Sequence, residues 1–424
     1  MKVKLPYGYS FLEADIPDKR LAGILTTTAA HPKAGGVALV EEALAHPIES
    51  AGLSELAEKA HKVVIVTSDH TRPLPSRQTM PSLLREIRLG NPKAEITILI
   101  ATGLHRPPTS AELEAKFGVE LVERENFVAH NAEDSSSLVR LADLPSGAPF
   151  LVNRLAVEAD LLIAEGFIEP HFFAGYSGGR KSILPGISGR ETILVNHSAA
   201  FIDHPNTQSG TLSGNIFHRD MVDAAGQVNL RFILNVTLDE GKNIAAAFAG
   251  HPDEAFARGA QFVEKTTKLT CKRAEIVLTS NGGYPLDQNL YQAVKSLRTA
   301  EYAALKGGVI ITAASCLDGI GGASFQSMLT NPGGPKRILE EIRSTPAAET
   351  SLDQWQVQVL VRILQEYHVI VVTEGVKPEV LSAMGLDSAT NLEEALNKAY
   401  TRTGPAAKVV VIPNGAGVFI ESED

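Results

Sequence analysis

The 424-residue chain has two cysteines, one tryptophan, no excess of basic residues and no long uninterrupted apolar run. Each scarcity excludes something. Cys271 and Cys316 stand far apart and outside any CxxC spacing, so neither a disulfide framework nor a thiolate zinc site is available, and the chain suits a reducing, cytoplasmic setting. Any metal must take histidine, carboxylate or cofactor donors. The net charge of −10 is spread without long acidic or basic runs, which excludes the concentrated basic patch that a nucleic-acid or membrane-surface partner requires. No segment approaches the roughly 18 consecutive apolar residues of a membrane span, and the opening MKVKLPYGYSFLEADIP holds too short an apolar run for a signal peptide. What remains is a chain with 44% hydrophobic residues, long enough for two or three domains with real cores, whose expected partner is a small molecule.

Residues 2–15 alternate around Gly8 and predict a small hairpin, and residues 37–60 a helix broken near Pro47. Three apolar strands of the parallel-sheet kind follow, in the runs that begin at Lys62, Lys93 and Ala159, and each ends in polar residues. In open α/β sheets ligands bind beyond the carboxyl ends of the strands, so Asp69, Arg72, His105 and His171 could converge on one site. The plain alternative is that each of them caps a helix or solvates a turn. A second hairpin is expected from Arg231, turning at Asp239–Gly241, and then a helix over 252–266. A new β/α series opens at Ala274, with further strands from Gly307, His368 and Lys408 and helices around 286–306, 333–345, 352–366 and 392–400. The predicted fold class is α/β, with two β/α-alternating domains built on parallel or mixed sheets, the first spanning 1–268 and the second 269–424.

The densest stretch of candidate chemistry runs from His171 to His197. Within it GYSGGRKS nearly matches the phosphate loop GxxxxGK[ST], but Arg180 replaces the second glycine and His171–Ala174 separate it from the strand. That excludes a nucleoside triphosphatase and keeps the physical point that backbone N–H groups at Gly178 and Gly179 can hold an anion. Otherwise this is a tight turn with Arg180 and Lys181 solvated. Lys181 lies among apolar and small neighbours, the setting of an amine that forms covalent attachments; a surface lysine with a snorkelling stem is the alternative.

Of the 12 histidines, His31, His46, His61, His130, His251 and His368 sit in ordinary contexts, whereas His105, His171 and His197 stand beside strand ends or glycine turns. Two bases on opposite faces of a substrate are what inversion at a carbon centre requires. Further on, Gln292 and Lys295 are i,i+3 partners on one helix face, next to Tyr291, an arrangement that suits a small carboxylate or simply a polar surface. Trp355 opens a later helix, where core packing is the default and a ligand contact through its N–H the alternative.

These segments carry a resemblance. SDHTRP at 68–73, ATGLHRP at 101–107, EPHFFAGYSGGRKSILPGI at 169–187, VNH at 195–197, YQAVK at 291–295 and Trp355 together resemble the nickel-dependent lactate racemase family, over most of the chain. The resemblance implies a two-domain enzyme with its site in an interdomain cleft, inverting C2 of a 2-hydroxy acid by proton-coupled hydride transfer. It implies a nickel-pincer nucleotide, pyridinium-3-thioamide-5-thiocarboxylic acid mononucleotide with Ni(II), tethered to Lys181 and ligated by His197. By the same carry-over His105 and His171 are the acid/base pair. Asp69, Thr71, Arg72, Gly178 and Gly179 bind the cofactor, while Arg72, Tyr291, Gln292, Lys295 and Trp355 face the substrate. Enzymes of cofactor biosynthesis are the implied maturation partners. The residues that fix the substrate's side group are expected in loops such as 316–332. Two other readings stand beside this one. The glycine loop also suits a non-catalytic binding or carrier protein for the cofactor or a mononucleotide, and two β/α domains suit a nicotinamide-dependent dehydrogenase, against which the missing GxGxxG counts.

Overall fold

The computed structural model describes residues 1–27, 35–239 and 241–423. His31 lies outside these residues, as does Glu240 at the centre of the expected Asp239–Gly241 turn. The chain forms two compact units. The first holds residues 35–196 and 206–266 around a six-stranded sheet, with strands in the spatial order Ile244–Gly250, Leu230–Leu238, Leu161–Phe167, Lys62–Ser68, Glu95–Ala101 and Asn126–Ala129. All neighbours are parallel except the edge pair Leu230–Leu238 and Ile244–Gly250, which is the antiparallel hairpin expected from the sequence. The central strands are apolar on both faces because both faces are covered. Ile65, Ile98, Ile163 and Leu234 from the sheet meet Met80, Leu83 and Ile87 of the helix Ser76–Gly90 in one core.

The second unit holds residues 1–27, His197–Pro205 and 267–423. Its sheet runs Asp387–Ala389, His368–Val372, Ala304–Ala313, Ala274–Ser280, Val409–Ile412 and Leu21–Ile24, parallel throughout. The boundary between the units therefore does not follow the linear split at 268. Leu21–Ile24 closes an edge that Val409–Ile412 would otherwise leave with unpaired backbone groups. The hairpin of Lys2–Tyr7 and Ser10–Asp15, turning at Gly8 with φ +53, has an apolar face that two strands cannot bury alone. Val3, Leu5, Ala14 and Ile16 place that face against Ile276, Leu278, Ile311 and Val411. The α/β class, with one all-parallel and one mixed sheet, is as the sequence predicts. Among the described residues no helix is long and apolar enough to cross a membrane.

This packing makes a hairpin residue a determinant of C-terminal stability. Ile16 is fully buried, so Ile16→Ala should cost about 2–5 kcal/mol in urea unfolding. Hydrogen exchange should quicken in the strands Ala274–Ser280 and Val409–Ile412 and stay unchanged in Lys62–Ser68 and Leu161–Phe167.

Candidate active site

The strand Lys62–Ser68 delivers Asp69 just past its carboxyl end, and the strand Glu95–Ala101 delivers His105 four residues past its own. The two side chains meet. His105 Nδ1 lies 2.7 Å from Asp69 Oδ2, and the other carboxylate oxygen accepts from Thr71 N at 3.0 Å and Thr71 Oγ1 at 2.6 Å. Arg72 Nη1 donates in turn to Thr71 Oγ1 at 2.8 Å. Asp69 is 2% exposed and His105 36%. Burial works against ionisation of Asp69, but the charge and hydrogen bond of His105, with Arg72 and Thr71 behind them, outweigh it and hold the carboxyl well below the usual carboxylate range. The adjacent His70 is pulled down chiefly by burial.

Two residues that carry no motif support this turn. Lys116 Nζ donates to the Arg72 carbonyl at 3.2 Å and to Ser68 Oγ at 3.4 Å, so one ammonium spans the residues on either side of Asp69. Its desolvation pulls it down to about 8, against the attraction of Glu165 and Asp69. Glu165, buried in the strand Leu161–Phe167, accepts from the hydroxyls of Thr67, Ser76 and Thr79.

His171 stands on a two-residue ladder in which Pro170 faces Tyr176 and His171 faces Gly175. Its Nδ1 accepts from the backbone N–H groups of Ala174 at 3.3 Å and Phe173 at 3.5 Å, and the Phe173 ring meets the imidazole edge-on at 4.4 Å. The glycine turn follows. A Cβ on Gly178, whose φ is +82, would lie 2.3 Å from Asn235 Oδ1 and 2.9 Å from the Phe167 carbonyl, so only glycine fits. The same Asn235 oxygen accepts from Gly179 N at 2.8 Å. Lys181 follows on a short 3-10 turn, with Nζ 5.9 Å from the centroid of Phe173.

Arg180 is not the solvated residue of a plain surface turn. It is 1% exposed, and its guanidinium gathers the carbonyls of Ala174, Tyr176 and Gly178 and the Nδ1 of His218 at 3.1–3.2 Å, with the Phe256 ring 3.8 Å away. Burial, with the Arg180 charge adding to it, pushes His218 down to about 4. The loop that carries His171 and Lys181 is thus tied by a buried arginine, whose rigid fork can reach several acceptors at once.

The remaining candidates belong to the second unit. His197 is buried, and its ring meets Trp355 edge-on at 4.9 Å. Trp355 Nε1 donates to Tyr291 Oη at 2.7 Å. Gln292, in the first turn of the helix Leu290–Ala300, is buried with an Oε1 that accepts no hydrogen bond among the described residues. Lys295, one turn further along that helix, is half-buried. Tyr291 also packs edge-on against Phe325, and its N–H donates to the Ile320 carbonyl at 3.0 Å, so the 316–332 segment bears on Tyr291; it is not all loop, since Ala323–Leu329 is a helix that carries Phe325. Among the described residues no three His, Cys, Asp or Glu side chains are grouped to hold a metal ion.

The structure therefore joins Asp69, Thr71, Arg72 and His105 in one network, His171, Gly178, Gly179 and Lys181 in one loop, and His197, Tyr291 and Trp355 in one cluster. Lys116, Arg180 and Asn235 are supports that sequence reasoning missed. The one visible sign was Arg180 standing where a phosphate loop has glycine. Two outcomes test the network. Asp69→Asn should lower stability at pH 7, and the deficit should shrink as pH falls. An acid held below its unfolded value of about 3.9 stabilises above that value and stops doing so as it takes up its proton. Gly178→Ala should cost at least about 1–3 kcal/mol in thermal unfolding, because the backbone is left-handed there and the space is filled.

Known proteins agree on what this arrangement belongs to. Residues 7–210 match the lactate racemase N-terminal domain and residues 269–420 the lactate racemase C-terminal domain. The chain is 48% identical over 423 residues to a lactate racemase of Thermoanaerobacterium thermosaccharolyticum and 47% identical over 421 residues to one of Lactiplantibacillus plantarum, covering 99% of both partners in each case. The solved lactate racemase apoprotein of T. thermosaccharolyticum superposes with a TM-score of 0.95 at 47% identity, over 99% of this chain and 100% of that one. A solved Thermotoga maritima protein shares the fold at a TM-score of 0.69 and 20% identity, over 88% of this chain and 96% of that one. With both domains matched and the relatives covered from end to end, the chain belongs to the lactate racemase family.

Proposed function

We propose that the chain is a racemase or epimerase that inverts C2 of a 2-hydroxy acid, with lactate as the first substrate to test, since that is what its relatives are named for. The observation that carries this reading is the opposite hydrogen-bonding state of the two histidines. An ionised Asp69 can only accept, so His105 Nδ1 bears the proton and Nε2 is left with an open lone pair. Backbone N–H groups can only donate, so His171 Nδ1 is bare and its Nε2 presents an N–H. One imidazole is set to take the hydroxyl proton. The other is set to hydrogen-bond the substrate oxygen.

The reading includes the nickel-pincer nucleotide. The donor set fits it. His197 offers a single buried imidazole, and with no group of three His, Cys, Asp or Glu side chains among the described residues, a metal there draws its other donors from a bound group. When bound, the cofactor supplies an electron-poor ring that accepts the α-hydrogen as hydride and returns it. The chain's own residues do the rest. Lys181 supplies the tethering amine and His197 the protein ligand. His105 removes the hydroxyl proton while Asp69 holds its ring and tautomer. Arg72 supplies a cation for the substrate carboxylate, and Lys295 and Gln292 are the candidate substrate contacts of the second unit. Accessory enzymes that assemble the cofactor are the partners this reading requires.

Protein loaded with the nickel-pincer nucleotide should gain the cofactor's mass at Lys181 and equilibrate D- and L-lactate in a chiral assay. His105→Ala and His171→Ala should keep that mass and lose at least about 100-fold in kcat. Asp69→Asn, which turns an amide N–H toward His105 and favours the other tautomer, should lose about 10²–10⁴-fold. An adduct without inversion, across a panel of 2-hydroxy acids, would make the protein a carrier instead. Failure to form the adduct would remove the cofactor from the account.

A further inference from the structure

We propose that the helix Gln354–Glu366 is the mooring that fixes His197, with Gln358 and Arg362 as positioning residues; this rests on the reading of His197 as a metal ligand. After the helix Arg190–Asn196 the chain enters the second unit for nine residues, His197–Pro205. That excursion holds a single helix, Ala199–Asp203, of five residues. A helix so short has no stability of its own. The place of His197 is therefore set by what the excursion docks on.

One stripe of the helix Gln354–Glu366 meets it three times, and Arg343 of the helix Gly334–Ser344 joins at the far end. Trp355, Gln358 and Arg362 are spaced i, i+3 and i+7 and so share a face. They engage His197, Ala199 and Asp203 in the same order. The Trp355 ring meets the His197 ring at 61° and 4.9 Å. Gln358 Nε2 donates to the Ala199 carbonyl at 3.1 Å. Arg362 Nη1 lies 3.4 Å from Asp203 Oδ1, and Arg343 Nε donates to Asp203 Oδ2 at 2.7 Å.

Gln358 is the informative member. It is fully buried between Val357 and Val359, and among the described residues its Oε1 accepts no hydrogen bond. An amide there is costlier to bury than a leucine of similar size, so packing gives no reason for it. Its bond to the segment that carries His197 does. The charged contacts around Asp203 are partly exposed and screened, and they set register more than strength. The same helix also holds Tyr291 at two points, through Trp355 Nε1 to its hydroxyl and Gln356 Nε2 to its carbonyl, both at 2.7 Å. His197 and Tyr291 thus share one frame.

Trp355 is the only tryptophan, so 5-fluorotryptophan labelling gives a single fluorine-19 resonance that reports on the His197 contact in the full-length unloaded chain. At one fixed pH, His197→Ala should displace that resonance. Gln358→Met, which keeps the volume and removes the amide, should displace it in the wild-type background and change nothing further in the His197→Ala background. Asp203→Asn, at a partly exposed position, should displace it in the same direction. On cofactor-loaded protein, Gln358→Met should shed nickel on gel filtration while the Lys181 adduct stays intact by mass spectrometry. Equal effects of Gln358→Met in both backgrounds, or an unchanged resonance with undiminished nickel, would overturn the mooring. Nickel retention by His197→Ala would instead overturn the ligand reading, and the fluorine-19 arm would still decide the mooring.

Discussion

A buried carboxylate facing an imidazole at the end of a parallel strand is the constraint on which the proposed chemistry depends. Asp69 stays ionised against the cost of its burial because His105, Thr71 and Arg72 all converge on it. That ionisation dictates which nitrogen of His105 carries the proton, and with it which nitrogen faces outward. The fold contributes the placement. Two neighbouring parallel strands, Lys62–Ser68 and Glu95–Ala101, run in register from Lys62 beside Glu95 to Ser68 beside Ala101, so their carboxyl ends and the residues beyond them emerge side by side. Lys116 then ties the residues on either side of Asp69.

A second buried charge is handled differently. Among the described residues Arg180 forms no salt bridge, and Asp253 attracts it only at a distance; carbonyls, an imidazole and an aromatic face surround it. An arrangement of that kind forgoes the attraction of an ion pair and places every donor on a named acceptor. Its gain is geometric, since a single side chain gathers the backbone from Ala174 to Gly178 and leaves His171 and Lys181 at the two ends of a closed loop. Asn235 holds the glycine turn from the other side. One loop then presents an imidazole and an amine in fixed relation, as a tethered cofactor would need.

Much of this was legible in the sequence because it is local. Apolar runs that end in SDHTRP or ATGLHRP announce parallel strands with polar residues at their carboxyl ends, and the tight turn at Gly178 and Gly179 shows in composition alone. What was not legible acts across sequence distance. Nothing near Leu21–Ile24 tells that it pairs with Val409–Ile412, nearly the whole chain away, so residues 1–27 could not be assigned to the C-terminal unit in advance. Lys116 reads as one more cation in an amphipathic helix until its ammonium is seen beside Ser68 and the Arg72 carbonyl. The pairing of Asp69 with His105 was equally hidden, since either residue alone suits a ligand contact. Gln358, in a helix buried on most sides, looks like an error of patterning until Ala199 appears opposite it.

The central claim is that Asp69 and the Phe173–Ala174 backbone hold the two histidines in opposite tautomers. Nitrogen-15 NMR of the imidazoles, at a pH where both are neutral and with assignments from His105→Gln and His171→Gln, measures this directly. The account predicts a protonated Nδ1 and bare Nε2 for His105, and a bare Nδ1 and protonated Nε2 for His171. The same tautomer at both positions, or a bare Nδ1 on His105, would contradict it.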